Sequence, residues 1–360
     1  MPESKETQLN HVPSSKDSLK KILSAFLRVF ISVGALSLVL YMFRSKFHDV
    51  ARILLSSRLE FIFLALGIYI LAFCMVTYRL KVIMAVQKVV ITFKNLFSIG
   101  LIGLFFNNLL PSSIGGDAVK AYYAYRITGK KLESFSAVFV DRVFGLITLI
   151  GLALFAVIVF GAKLNNPKIT EIVIALTLAC FLLLVFFSSR RVAKKFKFMS
   201  VLIPSEKWRE KLTSLYHSVN GYRHHPKVIM GGLLLSFVSQ SVFILVNYYL
   251  AKSLNLSIPI WVFFILIPII GTVSMAPSLN GLGVREGAYV YLFSHFISSE
   301  QALALSILNY FVLIVFSLAG GILYLVRKLV LFKEIASVDV INELVEAEEE
   351  MEKKVASSKS

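Results

Sequence analysis

Residues 96–126 read LFSIGLIGLFFNNLLPSSIGGDAVKAYYAYR, and residues 261–293 read WVFFILIPIIGTVSMAPSLNGLGVREGAYVYLF. Each is an apolar run that breaks at Pro-Ser-x-x-Gly, passes a second glycine, meets a basic residue and resumes as an aromatic, apolar segment. Pro111 and Pro277 are 166 residues apart (277 − 111), and Gly115 and Gly281 keep that offset. A broken apolar segment recurring in both halves of a membrane protein points to a transporter binding site.

Composition agrees with a membrane setting. Hydrophobic residues make up 57% of the 360 and charged residues only 16%, with 30 phenylalanines. Soluble domains carry about 25% charge, so most of this chain belongs in lipid. The first apolar run follows a polar stretch and is too long for a signal-peptide core, so it is expected to stay as an anchor. Cys74 and Cys180 both lie inside apolar runs, which argues against a disulfide framework and a zinc site. The formal charge of +17 comes from Lys and Arg beside apolar spans. There they orient the protein and meet anionic headgroups; no separate basic domain exists to grip nucleic acid.

A spanning helix needs about 20 mainly apolar residues. Full-length runs occupy 22–43, 59–78, 134–160, 169–188, 228–250 and 301–326, and the broken segments lie at 95–125 and 260–296. The apolar half before each proline is only about 16 residues long, which fits either a kinked crossing or a re-entrant hairpin. Charge favours the hairpin. The linker 189–227 holds ten Lys or Arg against Glu206 and Glu210, so it is expected in the cytoplasm. Working backward, 112–133 (Lys120, Arg126, Lys130, Lys131) and 79–94 (Arg79, Lys81, Lys88, Lys94) are cytoplasmic too, which puts both flanks of the first broken segment on one side. The links around the second are poor in charge and read as external. Residues 44–58, with Arg44, Lys46, Arg52 and Arg58, fall outside in this scheme; an interfacial amphipathic helix there would soften the conflict.

Three crossings separate the repeat starts at 59 and 228, and three is odd, so the second repeat is inverted. The expected fold is an all-α polytopic membrane protein. It has about six full transmembrane helices plus two re-entrant broken-helix hairpins in an inverted repeat, eight hydrophobic segments in all. A polar tail (1–19) precedes an integral membrane domain (20–330). That domain divides into repeat one (about 59–160), the basic linker 189–227 and repeat two (about 228–326). An acidic tail (331–360) follows, read as solvated or as a short amphipathic helix. Both termini are expected in the cytoplasm, in a multi-pass protein of the cell membrane.

Non-helical backbone inside a membrane is tolerated where protein buries it or water lines it. Pro111, Ser112, Ser113, Gly115 and Gly116, and Pro277, Ser278, Asn280, Gly281 and Gly283, are therefore candidate cavity-lining residues; packed, kinked helices are the plainer reading. The helix restarting after each turn offers free N–H groups to an anion such as phosphate. Lys120 and Arg285 lie nine and eight residues after their prolines, at nearly equivalent places, and each suits a phosphate. Lys120 serves equally as a membrane anchor. Arg285-Glu286 lies in the most apolar half, where charge is costly and usually functional, or forms an internal salt bridge. Asp141 and Arg142 point about 100° apart on one helix, so each needs its own partner: Asp117 is the candidate for Arg142, and Lys120 for Asp141. Such a cluster binds a headgroup, relays protons or is purely structural. Asn107 and Asn108 hydrogen-bond substrate or satisfy broken backbone. No P-loop, zinc-spaced His pair or convincing serine base is present, so no metal or cofactor is expected.

The run Asn108-Leu-Leu-Pro111, Gly115-Gly116-Asp117, Lys120-Ala-Tyr, Gly129 and Asp141-Arg142 resembles the lysylphosphatidylglycerol synthase transmembrane, or flippase-like, family. Asp141 replaces the usual Glu, and Gly145 stands where a further Asp is usual. Pro277-Ser-x-x-Gly281-x-Gly283-Val-Arg285-Glu286 is the more specific match, and the resemblance covers most of residues 20–330. It implies a protein that moves lipids or lipid-linked groups between leaflets. The aminoacyl transferase activity of fused relatives is expected to be absent, because the chain stops shortly after the last helix. The reading is a translocase, not an enzyme, for an anionic phospholipid or a polyprenyl-phosphate-linked lipid, with membrane lipids as partners. Two alternatives stand beside it. One is a membrane-embedded enzyme acting on a lipid phosphate through Glu286 or Asp141. The other is an accessory scaffold for a glycosyltransferase or lipid-synthesis enzyme.

Overall fold

The computed structural model describes residues 41, 44, 47–109, 115–164, 167, 169–175, 177–178, 221–275 and 281–326. Nine of its helices frame the site: α1 (Phe47–Leu55), α2 (Leu59–Val86), α3 (Phe93–Leu109), α4 (Gly115–Thr128), α5 (Lys131–Leu164), α6 (Pro226–Ser253), α7 (Ile260–Val273), α8 (Val284–Phe293) and α9 (Ser299–Val326). A single 3-10 turn, Tyr222–His224, leads into α6. Residues 169–175 are also helical, and no strand occurs among the described residues. Four helices are long and apolar enough to cross a membrane: Leu59–Val86, Lys131–Gly161, Pro226–Ser253 and Ser299–Val326. At 1.5 Å per residue a 28-residue helix is about 42 Å long, beyond the ~30 Å hydrocarbon core. These match the expected spans at 59–78, 134–160, 228–250 and 301–326. The run 22–43 lies outside the described residues apart from position 41, as does most of 169–188. Both tails, linker positions 189–220 and the turn residues Pro111, Ser112, Ser113, Pro277, Ser278 and Asn280 are outside them too.

One boundary is corrected. The segment 79–94 was expected to be a loop, yet α2 runs on to Val86. Arg79 does not end the helix because it finds partners inside the bundle. The true stop is Lys88, whose φ of 57° lets Val89 N–H donate to Met84 O at 3.0 Å. This left-handed closure satisfies carbonyls that the helix end would leave bare. Helix α6 ends in the same way: Asn255 has φ 57° and Leu256 N–H reaches Ala251 O at 3.0 Å.

Helices α2 and α6 lie antiparallel. Arg58 N–H donates to Ser253 O at 2.8 Å, Tyr69 meets Phe243 edge-on at 5.3 Å, and Tyr222 Oη donates to Ile83 O at 3.0 Å. Lipid is as apolar as a leucine side chain, so this seam gains little from excluding water and depends on close packing. Small residues supply it: Ala65, Ala72, Ser236 and Ser239 are fully buried. Bulky apolar residues of the same spans, such as Phe63, Leu71, Ile158, Leu234 and Ile322, face outward. The main core gathers Tyr69, Phe73, Leu250, Phe263, Leu266, Phe293 and Leu305; a second cluster gathers Ile83, Met84, Leu96, Ala121, Ala137 and Tyr222.

Helix α1 accounts for the basic stretch 44–58. Val50 is buried and Ile53 and Leu54 pack on the core, while His48, Asp49 and Arg52 are exposed. It is amphipathic, as a helix lying along an interface must be.

Each broken segment folds back on itself. On α3 and α4, Asn107 meets Gly116 and Gly103 meets the Lys120 stem, so the two helices run antiparallel. On α7 and α8, Phe263 packs on Phe293 at 5.4 Å and Ser274 abuts Gly281, again antiparallel. The base of the first hairpin lies beside Lys88, Lys130 and Tyr222, and the base of the second lies at the opposite end of the bundle, beside Ser253 and α1. Helix α9 touches both. Gly320 lets it approach so closely that a Cβ there would run into Leu101 O, and Tyr310 lies under Arg285.

Candidate functional site

The first hairpin is closed by Asn107, whose Oδ1 accepts the Gly116 N–H at 2.7 Å and so fills one open donor at the start of α4. Asp117 sits one residue on and is nearly buried. Its Oδ1 pairs with Lys120 Nζ at 3.1 Å, and its Oδ2 faces Arg142 Nη1 at 3.3 Å without accepting a hydrogen bond. Asp117 thus stands between two cations.

Arg142 thus meets Asp117, as expected. Lys120 does not meet Asp141: it takes Asp117 on its own helix, one turn back. Asp141 instead binds Arg79, with Nε to Oδ1 at 2.7 Å. Arg79 Nη1 continues to Ser236 Oγ at 2.5 Å, which lies 2.7 Å from Thr148 Oγ1. This chain of bonds pins α2, α5 and α6 together. Gly145 faces it, 3.8 Å from Arg79 Nη2 measured from where a Cβ would stand. Replacing Arg79 by Met strands the Asp141 carboxylate and is expected to cost about 3–5 kcal/mol. Arg79→Met with Asp141→Leu should recover most of that loss, read as melting temperatures of the purified protein.

The second hairpin is closed by Gly281 and Gly283, with φ of 79° and 81°. L side chains rarely adopt this region. Glu286 reaches back: its Oε2 accepts the Gly283 N–H at 2.6 Å, and its Oε1 accepts Arg285 Nη2 at 2.7 Å and Nε at 3.2 Å. Both side chains are buried. The Arg285 guanidinium also lies 4.5 Å from the centre of the Tyr310 ring, a cation–π contact.

Between the hairpins lies a cavity of about 250 Å³. Asn107, Arg142 and Arg285 of the predicted residues line it. Four polar lining residues were not anticipated: Asn247, Ser274, Tyr289 and Asn309. Tyr289 Oη donates to Asn247 Oδ1 at 2.5 Å, and Asn309 Nδ2 donates to the same oxygen at 3.0 Å. Their sequence signal was two asparagines inside otherwise apolar runs. Asp117 and Glu286 pair with the lining residues Arg142 and Arg285, Lys120 pairs with Asp117, Gly115, Gly116, Gly281 and Gly283 shape the hairpins, and Asn108 follows Asn107 on α3. No group of metal-ligating side chains occurs among the described residues.

Two contacts recur at equal spacing. Arg79 and Asp141 are 62 residues apart, as are Asn247 and Asn309. Asp117 and Arg142 are 25 apart (142 − 117), as are Arg285 and Tyr310 (310 − 285). By this spacing Arg285 corresponds to Asp117 rather than Lys120. The offset is 168, not the 166 of the prolines: the first half has two more residues between Arg79 and Pro111 than the second has between Asn247 and Pro277, and the second half has two more between its proline and Arg285 than the first has between Pro111 and Asp117.

The model of the family described as the lysylphosphatidylglycerol synthase TM region matches residues 25–321. The chain belongs to this family. It is also 35% identical over 96 residues to the UPF0104 membrane protein MJ1595 of Methanocaldococcus jannaschii, a match over 26% of this chain and 29% of that relative's length. Family membership and four long apolar helices make it a multi-pass membrane protein.

Proposed function

We propose that this family member is a lipid translocase. It passes the headgroup of an anionic phospholipid or polyprenyl-phosphate-linked lipid across the membrane while the acyl chain stays in lipid. The observation that carries this is one cavity lined by both Arg142 of one half and Arg285 of the other. A phosphate there would gain two guanidinium partners.

In this reading α2–α5 and α6–α9 are inverted repeats. Their lead helices are antiparallel, their stops match at Lys88 and Asn255, and their contacts recur with one offset. The hairpins are re-entrant: α4 and α8 are about 21 and 15 Å long at 1.5 Å per residue, too short to cross. One enters from the end carrying Lys88, Lys94, Lys130, Lys131, Arg223 and Lys227, which we assign to the cytoplasm of a cell membrane protein. The other enters from the opposite face. Two-sided access to one midplane site suits alternating exposure. The acids an enzyme acting on a lipid phosphate would use, Asp141 and Glu286, are engaged by Arg79 and Arg285 and do not line the cavity.

Purified protein in phosphatidylcholine vesicles should speed the flip of a labelled anionic lipid well above protein-free vesicles. Unchanged rates across a panel of anionic lipids would sink the reading.

A further inference from the structure

The two halves differ in charge at matched positions, and the difference bears on the ligand. Where the first half has the ion pair Arg79–Asp141, the second has the neutral pair Asn247–Asn309, and this pair opens on the cavity. We infer that the Asn247–Tyr289–Asn309 wall is a subsite for a neutral polyol or single sugar carried on the phosphate, and that it rejects an ammonium headgroup. This rests on the translocase reading and narrows its cargo.

The hydrogen bonds set what the wall offers. Asn247 Nδ2 donates to Phe243 O at 3.4 Å, which turns its Oδ1 toward Tyr289 and Asn309. Both neighbours donate to that oxygen. Asn309 then presents its Oδ1, and Tyr289 its phenolic oxygen, as acceptors for ligand hydroxyls. No Asp or Glu lines the cavity among the described residues, while Arg142 and Arg285 do. An ammonium group would therefore find no carboxylate to pair with on the wall, since Asp117 and Glu286 are taken by Arg142 and Arg285, and would give up its water for neutral acceptors alone. At about 250 Å³ the cavity has room for a phosphate with a small polyol or sugar.

The test uses the full chain purified in micelles, with tail-labelled phosphatidylinositol, phosphatidic acid and phosphatidylethanolamine, read by fluorescence anisotropy. Phosphatidylinositol should bind about tenfold more tightly than phosphatidic acid, the worth of one added hydrogen bond, and phosphatidylethanolamine should bind weakest. Asn309→Leu should erase the phosphatidylinositol advantage and leave phosphatidic acid binding intact. Tyr289→Phe, which keeps the ring, is the second variant should the first not fold. Equal binding of the three lipids, or an advantage that survives both variants, overturns the subsite. Vesicle flip assays separate the two claims. Selective binding without flip keeps the subsite and ends the translocase reading; flip without selectivity does the reverse.

Discussion

Arg285→Ala is expected to abolish flip of an anionic lipid. The side chain is buried, lines the cavity, and is the second half's one cation at the site among the described residues. Alanine alone is an ambiguous test, because it leaves the Glu286 carboxylate buried on the Gly283 N–H without its cation. Breaking a buried pair costs about 3–5 kcal/mol, enough to unfold a marginal protein. The informative variant is Arg285→Gln with Glu286→Gln. It removes both charges together, and the new amide oxygen at position 286 can still accept the Gly283 N–H. This double variant should melt close to the wild-type temperature while flip falls by about a hundredfold, two lost charge-assisted bonds to phosphate. Arg285→Lys keeps the charge but loses the two-pronged geometry, so it should retain partial activity. If the double variant flips lipid at the wild-type rate, Arg285 serves only to hold the hairpin.

Gly116→Ala is expected to be, with Gly320→Ala, among the most damaging single-methyl additions at the described glycines. Its Cβ would run into Gly103 O and stand 2.6 Å from Asn107 Cγ. The first contact is backbone and cannot swing aside, so α3 and α4 must part. Parting them breaks the Asn107–Gly116 bond and draws Asp117 away from Arg142. Overpacking typically costs about 1–3 kcal/mol, and the loss here should reach or exceed the upper figure, with flip lost as well. Gly151→Ala is the control. A Cβ there meets nothing within 4 Å, and alanine favours helix over glycine by about 1 kcal/mol. Comparing the two melting curves checks the packing: equal curves would mean that the hairpin does not need its close approach.

The long helices were legible because lipid demands long apolar runs, and the hairpins because Pro-Ser-x-x-Gly interrupts two of them. Long-range pairing was much less so. Arg79 follows an apolar run, where a cation ordinarily marks the membrane edge, and nothing local reveals an acid 62 residues on. Asp141 was accordingly given the wrong partner. Asn247 and Asn309 sit alone among apolar neighbours, so their convergence on one cavity needed the fold. The offset of 166 read from the prolines fails in the core, where the matched residues on either side of the turns are 168 apart.

The antiparallel seam between α2 and α6 bears on ancestry. Two identical half-length chains, inserted in opposite directions, would meet along such a seam and offer their cargo the same chemistry from either face. Joining them in one gene frees each copy to drift. Here the two halves differ at the matched positions, an ion pair in one and amides in the other. In the translocase reading, cargo arriving from one side therefore meets a different wall from cargo arriving from the other.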